Sequence, residues 1–359
     1  MVVTFNVMIL SAQGDVHANL MRTLKITAMN YNFKNLVFEG GGVKGIAYGG
    51  ALKVLDKKDI LSGIIRVGGT SAGAINATLL ALGFSFQEVS DIIAATNFND
   101  FEDKSKVIFG NMRRILKYYG WFKGDAFTRW IGEKIKKKTG KENFTFGELK
   151  EAVAGNTPGY RELYLAVTNL TQQKVEIYSH ESSPDVVIKD AVRMSMSIPL
   201  FFKAIKKGND ILVDGGLAYN YPIDLFDNEK YLVNPANRGD YTADAKGYVY
   251  NFETLGFRLD STETIKASRD DWSLAPTEIN NLKDHIVGVL NFLMDYANKV
   301  HLRTPDWNRT IFIDTLDVKT TQFDLSQEKI EALLESGRVN TEKYFEWRDE
   351  DPVWGKFPQ

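Results

Sequence analysis

Two glycine-rich loops, each set between an apolar run and a helical pattern, constrain this chain more than any other feature. The first is Gly40-Gly41-Gly42-Val43-Lys44-Gly45, after Leu36-Val37-Phe38 and before a helical pattern from Ile46 to Leu55. The second is Gly69-Thr70-Ser71-Ala72-Gly73, after Ile64-Ile65-Arg66-Val67 and before Ala74 to Leu82. Strand, loop and helix, twice in succession, make a βαβα unit, which calls for a parallel sheet with right-handed crossovers. A serine between glycines on a strand-to-helix turn has the geometry of a nucleophile elbow. The sharp bend projects the hydroxyl, and small neighbours let a substrate carbonyl approach the backbone. The upstream loop can supply N–H donors to such a site. Taken together, the two loops point to acyl transfer to serine.

The first loop also matches the dinucleotide-binding pattern Gly40-x-Gly42-x-x-Gly45, with Asp56 or Asp59 near the place of a ribose-binding acid. That account leaves the second loop unexplained. A Walker A loop is excluded, because no Lys-Ser or Lys-Thr pair closes the motif.

A serine nucleophile needs a base, and histidine is the usual one. The four histidines are His17, His180, His285 and His301, and none sits in a motif. His180 follows a strand and precedes Glu181; His285 and His301 lie on a late helical stretch. Asp214 is the better candidate. It ends the strand Ile211-Leu212-Val213 and is followed by Gly215-Gly216, which let it lie close to another backbone loop. In a parallel sheet the C-terminal ends of the strands share one edge, so Asp214 and Ser71 can converge there. As an isolated tripeptide, Asp-Gly-Gly reads as a plain turn.

At 359 residues the chain has room for one large α/β domain or two smaller ones, and for a full hydrophobic core. The formal net charge of −2 gives no global field that argues for nucleic acid. With no cysteine there is no disulfide. Met1 to Leu10 is apolar but lacks a basic n-region and a long h-region, so it reads as a strand or tail and not as a signal peptide. No run reaches the roughly 20 apolar residues of a membrane span. The expectation is a soluble protein, cytoplasmic with transient membrane contact or secreted without a standard signal peptide. No repeat or low-complexity tract is visible. From Phe86 to Lys150 the pattern is mainly helical; strands are expected at Tyr160–Asn169, Val175–Tyr178, Ile211–Val213 and Thr310–Ile313. A short helix is expected over Ala191–Met196 and a late one over Ser326–Ser336. Residues 236–272 read as a polar insertion with a strand near Leu255–Leu259, and 277–302 as a helix.

Three motifs in order, Gly40–Gly45, Gly69–Gly73 and Asp214-Gly215-Gly216, resemble the patatin-like phospholipases. These are Ser-Asp dyad lipid acyl hydrolases related in fold to the catalytic domain of cytosolic phospholipase A2. Ala191-Val192-Arg193-Met194-Ser195-Met196-Ser197-Ile198-Pro199 and Asn220-Tyr221-Pro222 are similar to the family's context before and after the base strand. Thr310–Ile313 with Phe323-Asp324-Leu325-Ser326 resembles bacterial members. Two positions depart: Glu39 stands where many members have Asp or a small residue, and Lys44 where arginine is commoner.

The resemblance implies a three-layer α/β/α fold with a mainly parallel central sheet. It implies a catalytic domain over residues 34–346, an N-terminal extension of 1–33, C-terminal helices within 277–346 and a tail of 347–359. Carried onto this chain, Ser71 is the nucleophile and Asp214 the general base. The N–H groups of Gly41, Gly42 and Ala72 form the oxyanion hole. Gly40, Gly45, Gly69, Gly73, Gly215 and Gly216 complete the motifs. Neither metal nor organic cofactor is implied. The expected substrates are phospholipids or other glycerolipids, and an activating protein partner is left open. Acyl transfer to an alcohol, or lipid or dinucleotide binding without catalysis, are the competing readings. A carboxylic acid with an ordinary pKa near ~4 is a poor base for a serine hydroxyl, so burial is required to raise it.

Between Lys104 and Lys141 twelve basic residues face only Asp125 and Glu133, with Phe109, Tyr118, Tyr119, Trp121, Phe122, Phe127 and Trp130 interleaved. Such a segment suits docking on anionic lipid, and equally a solvated helical face with its aromatics in the core.

Overall fold

The computed structural model describes residues 31–101, 119–239, 248–262 and 304–350, with single positions between 264 and 296. The βαβα start forms as expected. β1 (Asn35–Phe38) passes through the glycine loop and a 3-10 turn, Gly42–Ala47, into α1 (Tyr48–Lys57). β2 (Arg66–Gly69) passes through Thr70-Ser71 into α2 (Ala72–Ala81).

Beyond α2 the expected helical stretch is interrupted. α3 (Phe86–Ala94) starts on a capping box of Ser85 and Glu88. A 3-10 turn (Phe98–Phe101), β3 (Gly120–Phe122), α4 (Asp125–Thr139) and α5 (Phe146–Ala154) follow. Then come β4 (Glu162–Asn169), β5 (Lys174–Tyr178), α6 (Ile188–Ser195), β6 (Leu200–Phe202), β7 (Ile205–Lys207) and β8 (Asp210–Asp214). A single turn, α7 (Gly216–Tyr219), leads to the short pair β9 (Arg238–Gly239) and β10 (Tyr250–Asn251). β11 (Thr254–Asp260), β12 (Thr310–Asp314) and α8 (Gln327–Glu350) close the described chain. α8 runs well past the expected end at Ser336, because Thr341, Tyr344 and Phe345 continue its buried side.

The central sheet has the order β12-β11-β1-β2-β4-β8-β7, with β5 also on β4. β12, β11, β1, β2 and β4 are mutually parallel, while β5 and β8 run antiparallel to β4. The strand expected inside a polar insertion, β11, pairs with both β1 and β12 and so belongs to this sheet. The expected helix over 277–302 falls mostly outside the described residues, as do residues 1–30 and 351–359.

Side-chain alternation separates the two faces. Leu36, Phe38, Val67, Leu163, Leu165, Val167, Leu255, Phe257, Ile311 and Ile313 bury against the helical side, which carries α1–α6 and α8. Val37 and Tyr164 point the other way, under Phe226 and Tyr231, and Phe312 packs with Tyr221, Ile223 and Trp307. That second layer is thinner, being built from α7 and irregular chain. One buried ion cluster anchors it. The Arg309 guanidinium donates twice to Asp227, at 2.6 and 2.7 Å, and twice to Asp306, at 2.7 and 3.1 Å. It also lies 4.0 Å from the centre of the Tyr250 ring.

Removing the cation strands two buried carboxylates. Arg309→Ala is expected to lower folding free energy by about 3–5 kcal/mol, measured by urea denaturation at pH 7.5. The Asp227→Asn/Arg309→Ala double variant is expected to recover part of that loss.

Candidate active site

β4 brings the two halves of the site together. Leu165 pairs with Gly69 of β2 and also with Tyr178 of β5, so those strands flank β4 on opposite sides. β5 stays paired along residues 165–169, which leaves the β2 side open once β2 ends. β8 takes that vacated side, pairing Val167 with Asp214 and Asn169 with Leu212. β2 and β8 therefore lie tip to tip along one side of β4, running toward each other. Gly69 and Asp214 sit two β4 residues apart, or about 7 Å along the strand. The expected shared C-terminal edge of parallel strands is thus not the cause of their approach. β8 is antiparallel, and Asp214 reaches Ser71 by descending toward it.

The elbow holds Ser71 at φ 52°, ψ −121°, a strained conformation for a residue with a side chain. Gly73 is required here, because a Cβ on it would stand 2.3 Å from the Phe38 carbonyl oxygen. The Ser71 carbonyl accepts the amides of Ala74 and Ile75 and so starts α2. Its own N–H donates to Ser195 Oγ at 3.0 Å. Thr70 Oγ1 donates to the Tyr219 carbonyl, tying the elbow to α7.

Asp214 is 1% exposed. Its Oδ1 accepts the Gly216 amide at 2.7 Å. Burial pushes its pKa up to about 7, against the lowering effects of the Gly216 amide and the nearby Ser71 hydroxyl. Oδ2 is buried and has no hydrogen-bond partner among the described residues.

The first glycine loop packs directly on the elbow, with Gly40 beside the Ser71 Cβ and Gly45 beside the Ala72 Cβ. Asn220 clamps it. The Asn220 carbonyl accepts the Gly40 amide at 3.1 Å, and its Nδ2 donates to Gly40 O and Glu39 Oε1. Glu39, the departure at the loop's entrance, accepts the Leu259 amide at 2.6 Å and so ties the loop to β11. Gly42 adopts φ +57° against the Thr320 carbonyl. Among the described residues the amides of Gly41, Gly42 and Ala72 have no protein acceptor.

The histidines lie elsewhere. His180 follows β5, on the side of β4 away from β2 and β8, with its ring 5.9 Å from that of Tyr164, and burial lowers its pKa. His285 is exposed; His17 and His301 lie outside the described residues. Asp56 and Asp59 sit at the end of α1 and in the turn after it, not at the end of β2 as ribose binding would need.

Of the basic aromatic segment, 104–118 is outside the described residues. In α4, Phe127 is buried and Trp130 packs on Phe101. The charge imbalance is reduced by acids outside the segment: Lys138 pairs with Glu88 and Lys141 with Glu148. Tyr119, Trp121 and Leu200 are exposed.

In the sequence, Ser195 and Asn220 stand out only as motif context. Neither has a local signal, because each acts on a loop far away in the chain.

A family model described as Patatin-like phospholipase matches residues 36–227, just over half of the chain. An uncharacterized protein, R571, of Acanthamoeba polyphaga mimivirus is 29% identical over 307 residues, covering 85% of this chain and 91% of its own. The probable lipid hydrolase 463L of invertebrate iridescent virus 6 is 28% identical over 195 residues, covering 54% and 63%. Among solved structures, VipD from Legionella pneumophila superposes with a TM-score of 0.54 at 18% identity, over 88% of this chain and 67% of that one.

The raised Asp214 pKa has a sign for stability. A carboxyl whose folded pKa lies above its ordinary 3.8 contributes stability that is full below that value and lost as pH rises through about 7. Asp214→Asn, which keeps an acceptor for the Gly216 amide, is expected to gain stability over wild type from pH 4 to pH 8, by up to about 4 kcal/mol. Thermal denaturation across that range measures it, and an equal Tm difference at both ends would refute the burial effect.

The ordered motifs, the sheet that carries them and the family match agree: the chain belongs to the patatin-like phospholipase family.

Proposed function

We propose that this protein is a lipid acyl hydrolase, acting within residues 34–346, that cleaves carboxylic esters of glycerolipids through an acyl-Ser71 intermediate. The observation that carries the reading is the tip-to-tip meeting of β2 and β8, which puts a strained serine beside a buried carboxylate. The family description and the relative named as a probable lipid hydrolase support lipid as the substrate class.

In this reading the ionised Asp214 takes the proton of the Ser71 hydroxyl as its Oγ attacks the ester carbonyl carbon. The oxyanion forms against the amides of Gly41, Gly42 and Ala72, which have no other acceptor among the described residues. Each preorganised donor of this kind contributes about 3–4 kcal/mol of transition-state stabilisation. Collapse expels the lysolipid alcohol, which leaves with the proton held by Asp214. Water then attacks the acyl-serine and gives one proton to Asp214; as the acyl–Oγ bond breaks, Asp214 returns that proton to Ser71 Oγ, which restores the serine and the ionised base and releases the fatty acid. The α2 N-terminus favours the negative charge that develops at the elbow.

Ser71→Ala is expected to lose at least ~10⁴-fold in kcat, with Asp214→Asn similarly inactive, while both keep their fold by circular dichroism. Phosphatidylcholine and phosphatidylglycerol vesicles, with products read by mass spectrometry, are the assay. Retained hydrolysis in Asp214→Asn would return the search to His180. Added glycerol or lysolipid that captures the acyl group would identify a transacylase. Because the base acts in its ionised form, kcat/KM of wild type is expected to rise with pH and level off above about 7. A flat profile from pH 5 to 9 would count against Asp214 as base.

We further propose that the exposed Tyr119, Trp121 and Leu200, beside Lys123, dock on an anionic bilayer. Trp121→Ala/Leu200→Ser is expected to weaken co-sedimentation with phosphatidylglycerol vesicles several-fold and to leave hydrolysis of a soluble ester unchanged. Unaltered vesicle binding would reject this surface.

A further inference from the structure

We infer that Ser195 is a positioning residue for Ser71 and Asp214: its hydroxyl fixes the height of the elbow against β4. This rests on the reading of Ser71 as nucleophile and Asp214 as base. Ser195 is fully buried at the end of α6. Its Oγ accepts the Ser71 amide at 3.0 Å and donates to the Ala166 carbonyl at 2.7 Å. Ala166 lies in β4 between Leu165, which pairs with Gly69, and Val167, which pairs with Asp214. The hydroxyl therefore bridges the end of β2 to the β4 segment where the two strand tips meet.

The same chain segment also holds the base. Two residues on, the Ser197 carbonyl accepts the Asp214 amide at 2.9 Å. Arg193 stiffens the segment from behind. Its Nη1 donates to Ser197 Oγ at 2.6 Å, and its Nη2 donates to the carbonyls of Lys123 and Lys203. Thus 195 and 197 hold one partner each, through a side chain and a backbone carbonyl respectively.

The bond has a second consequence. In a serine hydrolase whose nucleophile amide lines the oxyanion hole, that N–H must be free for the substrate. Here Ser195 occupies it, and it secures a residue whose φ of 52° the backbone would otherwise relax. Losing the hydroxyl leaves the Ser71 N–H and the Ala166 C=O without this partner and lets the elbow shift.

Ser195→Ala is expected to lower kcat by about 10–100-fold, with KM for p-nitrophenyl butyrate within about twofold of wild type. The second-order rate of Ser71 labelling by a fluorophosphonate is expected to fall by the same factor as kcat. Titration with that probe counts active sites, so kcat is expressed per labelled site. A merely structural serine would lower the labelled fraction and the Tm but leave kcat per site at the wild-type value, and that result would overturn the inference. Ser195→Thr keeps the hydroxyl and is expected to recover most of kcat. Should Ser195→Ala fail to fold, Ser195→Cys, close in volume but a weak acceptor, carries the same comparison. Thr341→Val, a buried hydroxyl removed from distant α8, is the control expected to lower Tm alone. A wild-type protein that neither labels nor cleaves the ester would instead overturn the assignment of Ser71 as nucleophile.

Discussion

The site depends on one arrangement of hydrogen bonds: β4 pairs with two strands in succession along the same side. Up to Leu165 it pairs with β2, and from Val167 it pairs with the oppositely directed β8. Ladder register is specified by side-chain alternation, since a slip of one residue would turn every buried side chain out. Leu163, Leu165 and Val167 must all face the helical layer. The hydrophobic pattern of β4 therefore fixes the separation of Ser71 and Asp214 with the rigidity of a sheet, although both lie just beyond strand ends.

The energetics of this placement oppose one another. Burying a carboxylate is costly, and the cost appears as the upward shift of the Asp214 pKa. The surrounding layer is stabilised elsewhere: by the aromatic and aliphatic core under the helices and by the paired Arg309 cluster in the thin layer. Asn220 and Glu39 add the remaining precision. They fasten the glycine loop to the end of α7 and to β11, and among the described residues the amides of Gly41 and Gly42 have no acceptor to turn toward.

Much of this was legible in the sequence because it is local. Ser71 between Gly69 and Gly73 announces its turn, and the three glycines from Gly40 announce a backbone that must come close to something. The longer strands and helices followed from alternation and periodicity, whereas the three-residue strands β3, β6 and β7 are too short to show either. Three things were not legible. The direction of β8 depends on which side of β4 is vacant, a fact about three strands at once. The place of β11 was hidden by the polar residues around it, since neighbours in sequence say nothing about neighbours in a sheet. The lysines of 104–141 read as unbalanced because two of their partners, Glu88 for Lys138 and Glu148 for Lys141, lie outside that segment. Ser195 illustrates the same limit, since a serine near a helix end carries no sign of the amide it will accept from the other half of the sheet.

The tandem pairing also bears on the order in which a working site is assembled. β1, β2 and β4, with α1 and α2, precede β8 in the chain and can pair without it. β8 pairs with β4 over just three residues, Val167, Thr168 and Asn169, with further bonds from Leu170 and the turn that follows it. During synthesis, Ser71 and its flanking glycines are made well before Asp214, and the two side chains meet only when the β7–β8 hairpin docks into the vacant ladder. On the proposed mechanism, a nascent or partly opened chain holds Ser71 without its base, so hydrolysis requires the docking of β8 on β4 as well as the turn that carries the serine.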